Sequence, residues 1–248
     1  MGRSLLDAEK LPGFVEDMNY RDFEHFMKCP LRSYLRKAGG LDVDLLYIST
    51  LDLVFNKASL MLLTNTVPSM DFLSANFKAH LKALPIVDDF KQALLERAQR
   101  EHFPHYIQHT TKLLEKYNVI SPVTPYSYSN NGVTIEIVTS FTLQEKKGIE
   151  TFCVLLEYQK VYEWKSYSRL WSAVLKNLLF ERGLTRLGVK VLSLPNGELM
   201  EVHQNKHRLT SEIMHYSTAM YASRAVYPVY GGHCHRCSFS DECGHAVN

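Results

Sequence analysis

Tyr126-Ser-Tyr-Ser-Asn-Asn-Gly-Val-Thr-Ile-Glu-Ile-Val-Thr-Ser-Phe141 is the stretch on which the fold turns. Ser129 to Gly132 is a turn, and the alternation of β-branched residues from Val133 to Phe141 reads as a strand leaving it. A second turn near Lys146-Lys-Gly148 leads into a strand over Glu150 to Gln159, so hairpin-linked strands form a meander. Upstream, residues 41 to 118 carry helical periodicity through Leu45, Ile48, Leu51, Phe72, Phe77, Leu81, Phe90 and Leu94, with turn signals near Pro68 and Pro85. Downstream, Tyr167 to Glu181 reads as a helix with Leu170, Trp171, Val174, Leu175 and Leu178 inward, followed by a short strand, Val189 to Leu194. Helices, a β-meander, a helix and a strand in this order describe an α/β architecture.

The 248 residues are 46% apolar and 22% charged, which excludes disordered, collagen-like and coiled-coil classes. A net charge of +2 excludes a histone-like polycation and confines any nucleic-acid site to a patch. The most apolar window, Leu51 to Leu63, is interrupted by Asp52, Asn56 and Lys57, so no membrane span is expected. The first residues, MGRSLLDAEK, lack the apolar core of a secretory signal, and the expectation is a cytoplasmic protein with reduced thiols.

Five cysteines then stand out. Cys153, in the apolar run Thr151 to Leu156, reads as a buried thiol acting as a small hydrophobe. Cys234, Cys237 and Cys243 form C-x2-C-x5-C after Tyr230-Gly-Gly-His233, a knuckle suited to a metal. Three thiolates leave one ligand open. Cys29, in a polar, helix-starting context, can supply it for a cluster; His233, His235 or His245 can complete a zinc site instead. Around Cys29, Asn19 reads as a helix cap with Phe23, Phe26 and Met27 on one face. Cys29-Pro30 breaks that helix, and a second follows with Leu31, Tyr34 and Leu35 inward and Arg32, Arg36 and Lys37 outward.

The box Cys29-Pro30-x-x-x-Tyr34-Leu35 together with the terminal trio resembles the iron-sulfur branch of the PD-(D/E)XK nucleases: the nuclease domain of AddB and RecB-like exonucleases and the cluster-bearing CRISPR adaptation nucleases. The resemblance implies a central mixed β-sheet flanked by helices, with a helical subdomain and an iron-sulfur clasp joining the two termini. It implies one PD-(D/E)XK-like domain over 1–248, with the helical subdomain at 41–118, the sheet core at 119–195, and a C-terminal helix and cysteine knuckle at 196–248. It further implies that Cys29, Cys234, Cys237 and Cys243 ligate one [4Fe-4S] cluster, with zinc the alternative.

A nuclease of this kind needs strand-end carboxylates to hold Mg or Mn and a lysine to position water. The family pattern places an Asp where this chain has Thr139, and Glu-x-Lys where it has Glu157-Tyr-Gln159. Tyr167 and Trp171 stand where Gln and Tyr belong, and no histidine occurs between residues 40 and 75. Lys160 can swing in for Gln159, whereas Glu163-Trp-Lys165 reads as a surface ion pair. The catalytic set Glu157, Gln159 and Lys160 is therefore degenerate, and inactivity is favoured.

Between residues 160 and 190 seven basic residues face two acidic ones, with Tyr162, Trp164, Tyr167 and Trp171 among them. Lys160, Lys165, Arg169 and Lys176 are the candidate nucleic-acid contacts. The expected function is a DNA-binding protein, its substrate single-stranded or duplex, retained as a binding or scaffold module in DNA replication, repair or transcription and working with a protein partner in such a complex. The alternatives are an active Mg- or Mn-dependent nuclease using Glu157, and a protein-interaction subunit with a structural metal site.

Overall fold

The computed structural model describes residues 17–37, 40–84, 86–158, 167–201, 214–219, 221, 234, 237–239 and 243. Contacts divide the chain into two compact units. One comprises Met1–Leu46, Ser127–Glu136 and Ser211–Asn248; the other comprises Tyr47–Tyr126 and Ile137–Thr210.

In the first unit, strand β1 (Asp17–Asn19) leads directly into helix α1 (Tyr20–Lys28). Asn19 caps α1 as its sequence context implies, its Oδ1 accepting the Asp22 N–H at 2.9 Å. The helix stops at Cys29, and Pro30 opens α2 (Pro30–Lys37), where a missing N–H leaves no helical bond unmade. Phe23 and Phe26 are buried, and Phe26 meets Tyr221 edge-on at 5.0 Å. β1 pairs in parallel with β4 (Val133–Thr139), Met18 opposite Ile135. β4 lies between β1 and β3 (Thr124–Asn130) in a three-stranded sheet. The turn joining β3 to β4 needs the left-handed backbone of Asn131 and Gly132 (φ 51° and 72°).

The second unit is an α/β layer built on a five-stranded mixed sheet. Its order is β2 (Tyr117–Ser121), β5 (Phe141–Glu145), β6 (Thr151–Glu157), β7 (Leu187–Ser193) and β8 (Glu198–Glu201). β2, β5 and β6 are antiparallel neighbours; β7 lies parallel to β6 after the crossover helix α7 (Tyr167–Glu181); β8 returns antiparallel. Helices α3 (Val43–Leu62), α4 (Met70–Lys82), α5 (Asp88–Glu101) and α6 (Phe103–Lys116) precede the sheet. Phe55 of α3 stacks on Tyr106 of α6, their centroids 4.1 Å apart. Among the described residues α3 is the one helix long and apolar enough to cross a membrane, and half of that stretch is buried inside the protein.

Two local expectations differ from the structure, and one element was not anticipated. The strand expected over Val133 to Phe141 is two strands, because Ser140 donates its N–H to the Val154 carbonyl and Phe141 joins a different sheet from β4. Arg32 is not outward but 5% exposed, because Asp42 receives its guanidinium. β8 is an added element, because the four residues Glu198 to Glu201 carry no alternation strong enough to announce it; a helical segment at 214–219 lies within the span 196–248 where a C-terminal helix was expected.

Candidate functional site

The lone N-terminal cysteine is the cap of α1. Its N–H donates to His25 O at 3.0 Å, and its Sγ accepts the N–H of Arg32 at 3.5 Å as α2 begins. At the other end of the chain, Cys237 N–H turns back onto Cys234 O at 3.2 Å, and Cys243 N–H bonds Phe239 O at 2.9 Å. None of the five cysteines forms a disulfide. The two ends meet: Val43 N–H donates to Ser238 Oγ at 3.4 Å across 195 positions. Gly40 lies so close to the Phe239 ring that any β-carbon there would overlap it.

Burial pushes the Cys237 thiol up, while the backbone N–H of Phe239 and the Arg32 guanidinium oppose that shift and Cys29 adds to it. The charges acting on Cys237 therefore include groups from the opposite terminus. N–H groups aimed at the buried Cys29 and the half-buried Cys237 are the partners a thiolate ligand takes, and sulfurs are soft donors, so the donor chemistry of these two residues suits a thiolate-bound metal. Among the described residues, however, no three His, Cys, Asp or Glu side chains come close enough together to hold a metal ion. Cys29 and Cys237 share one electrostatic neighbourhood, but among the described residues a complete ligand set is not assembled. His233, His235 and His245 lie outside the described residues.

Beside Cys29 lies a buried ionic network that the sequence reading missed. Arg32 Nε and Nη2 donate to the two Asp42 oxygens at 2.8 and 2.7 Å, and Asp42 Oδ1 also accepts the Leu45 N–H at 3.2 Å. Burial raises the Asp42 carboxyl, but the bonds from Arg32 outweigh it and hold the group below the usual carboxylate range. Lys28 reaches Glu24 at 2.6 Å. Burial holds His25 down to about 4, with Lys28 acting in the same direction.

The second candidate site is the C-terminal end of β6, in the other unit. Glu157 is 6% exposed, its carboxylate accepts the Tyr158 N–H at 2.9 Å, and it stands in parallel register with Ser193 of β7. Thr139, at the position where the family pattern calls for Asp, is fully buried and donates its hydroxyl to Thr124 O at 3.2 Å. Tyr158 donates its hydroxyl to Asp52 of α3. His102 hydrogen bonds Tyr47 Oη at 2.9 Å and the Tyr158 backbone, and burial holds its ring down to about 4. Asp52, His102 and Tyr158 thus brace the strand end. Of these, only Asp52 carried a signal in the sequence, as an acidic residue within the apolar run of α3.

Gln159, Lys160 and Lys165 lie outside the described residues, as do Tyr162 and Trp164. Position 169 is in α7, though its side chain is outside the description, and Lys176 is half-buried on the same helix. Trp171 is 1% exposed, which removes it from any base-stacking role. Cys153 is fully buried as read, beside Tyr126 Oη at 3.5 Å.

Comparison with known proteins names no family. No family model matches the chain, and no curated protein does. Among solved structures it is similar to the crystal structure of SSO0001, with 9% identity, 97% of this chain and 92% of that chain covered, and a TM-score of 0.42. That likeness is too distant to bear on function.

Proposed function

We propose that the chain is a DNA-binding protein of the iron-sulfur PD-(D/E)XK type whose catalytic centre has decayed, acting as a binding or scaffold module in DNA replication, repair or transcription. The observation that carries this reading is that Glu157 stands buried at the end of β6 while Thr139, where the resembled pattern has Asp, is a buried neutral hydroxyl donating to the Thr124 carbonyl. An antiparallel β5–β6 pair followed by a helical crossover to a parallel β7 supports the same reading. With a neutral hydroxyl in place of a carboxylate, one carboxylate remains against a hydrated Mg ion that gives up water reluctantly, and binding is weak.

Cys29, Cys234, Cys237 and Cys243 would hold the metal group. Held there, a cluster would close the chain ends covalently and would stabilise the fold by removing a long loop from the unfolded ensemble. This chain's own residues orient the first ligand: the α1 cap geometry sets Cys29, and the Arg32 N–H points at its sulfur. Labelled single-stranded and duplex DNA incubated with Mg or Mn tests the reading. Salt-dependent binding without cleavage is the expected result. Cleavage that Glu157→Ala abolishes overturns the decayed centre in favour of an active nuclease, and absence of DNA binding favours a protein-interaction subunit.

A further inference from the structure

Three consecutive residues of the C-terminal segment each find a partner between positions 29 and 43. Cys237 lies within electrostatic reach of Cys29, Arg32 and Asp42, the guanidinium and the carboxylate acting on its sulfur in opposite directions. Ser238 Oγ accepts the Val43 N–H at 3.4 Å, one residue on from Asp42. Phe239 is 4% exposed, and its Cε1 would lie 2.4 Å from a β-carbon at position 40, so the ring is seated against Gly40, the residue type that leaves it room. Gly40 N–H in turn bonds Leu35 O at 3.0 Å, which makes the seat part of the end of α2.

The receiving surface is held by bonds of its own. Arg32 Nε and Nη2 grip both oxygens of Asp42, Nη2 also reaches Asp44 Oδ2 at 3.4 Å, and Asp42 accepts the Leu45 N–H. A planar fork that meets a carboxylate with two bonds fixes orientation as well as distance, which an ammonium on a flexible stem does not. The backbone of the same Arg32 points its N–H at Cys29 Sγ, 3.5 Å away. One residue therefore orients the first cysteine through its main chain and, through its side chain, the segment on which Ser238 and Phe239 rest. None of these contacts passes through a metal: they are hydrogen bonds, an ion pair and a ring packed on backbone. A site already held in its bound geometry spares its ligand the cost of ordering it.

We propose that Arg32 and Asp42, with Ser238 and Phe239 docked beside them, are positioning residues that seat Cys237 beside Cys29 without a metal, so that the metal group loads onto a preset pair of thiols instead of drawing the chain ends together. The inference rests on the thiolate-bound metal proposed above and deepens it: side chains bring the ends together, and the metal locks them.

Two measurements on the full chain test it. In chelator-treated protein a nuclear Overhauser contact between the Gly40 α-protons and the Phe239 ring is expected before any metal is added, and it should vanish in Phe239→Ala. A contact that appears only after Co(II) is added overturns the proposal. Titration with Co(II), followed by thiolate-to-cobalt absorbance, should show Arg32→Lys binding about 10- to 100-fold more weakly than wild type, the range for losing a group that orients a metal ligand. Phe239→Ala should lose about tenfold, and Ser238→Ala, at an exposed position where folding is not at stake, about threefold. Wild-type Co(II) affinity in all three variants overturns the proposal and leaves the metal site itself standing. A wild type that takes up neither Co(II) nor iron overturns the parent reading and the loading step with it, whatever the Gly40 to Phe239 contact shows.

Discussion

Arg32 and Asp42 form a two-pronged ion pair whose side chains are 5% and 1% exposed, one turn of helix from the sulfur of Cys29. The pair ties α2 to the start of α3, since Asp42 also receives the Leu45 N–H. Asp42→Asn leaves a guanidinium buried against a neutral amide and should cost about 3–5 kcal/mol in urea unfolding. Arg32→Met combined with Asp42→Leu should recover most of that loss. A single Asp42→Asn variant as stable as wild type would mean the pair is solvated in solution.

His102 gives the second unit a pH dependence of its own. Its ring sits near 4 in the folded chain against an ordinary 6.5, so between those values the unfolded state binds the extra proton. Stability from this residue is therefore present above about 6.5 and lost as the pH falls toward 4, at a slope of at most about 1.4 kcal/mol per pH unit. His102→Gln should flatten the slope of unfolding free energy between pH 6.5 and 4.5. An unchanged slope would assign the titration elsewhere. Asp42, whose carboxyl is held low, acts only in a more acidic window, below about 4, where protonating it removes stability.

The β7–β8 turn is fitted to a helix side chain. Gly197 has φ 68°, and a β-carbon there would overlap the His109 ring, which bonds Leu194 O at 2.9 Å through Nε2. Gly197→Ala should cost about 1–2 kcal/mol from backbone strain and more from the overlap. Adding His109→Ala should relieve the overlap but not the strain, so thermal unfolding of the double variant should show less than the sum of the two losses. Strict additivity would deny the contact.

On the proposed reading, DNA binding does not depend on Glu157. Glu157→Gln should leave affinity for either DNA within about twofold in the presence of Mg, because one carboxylate gives the cation little hold. Anisotropy titrations with and without Mg read this directly, and an affinity that needs both Mg and Glu157 would argue for a working cation site.

The sequence made the regular parts of the fold visible wherever burial imposes a period. The inward stripe of α7, the cap at Asn19, the break at Cys29-Pro30 and the turn at Asn131-Gly132 all lie where residue pattern and turn chemistry place them. What stayed hidden depends on partners remote in the chain. Arg32 reads as a surface residue until Asp42 is folded beside it, and Val133 to Phe141 reads as one strand until Ser140 bonds to Val154. At the candidate sites the cysteines and Glu157 declare themselves by type and spacing, whereas Asp52 and His102 acquire meaning only from what surrounds them.

The proposed clasp has Cys29 and the C-terminal cysteines holding one metal group. Iron, sulfide and zinc in anaerobically purified wild type and Cys29→Ala, read with the visible absorbance, test it most directly. A brown wild type holding about four irons per chain and a Cys29→Ala variant that loses most of the iron and colour together are expected. Zinc-loaded or metal-free wild type, or a Cys29→Ala variant that keeps its cluster unchanged, would contradict it.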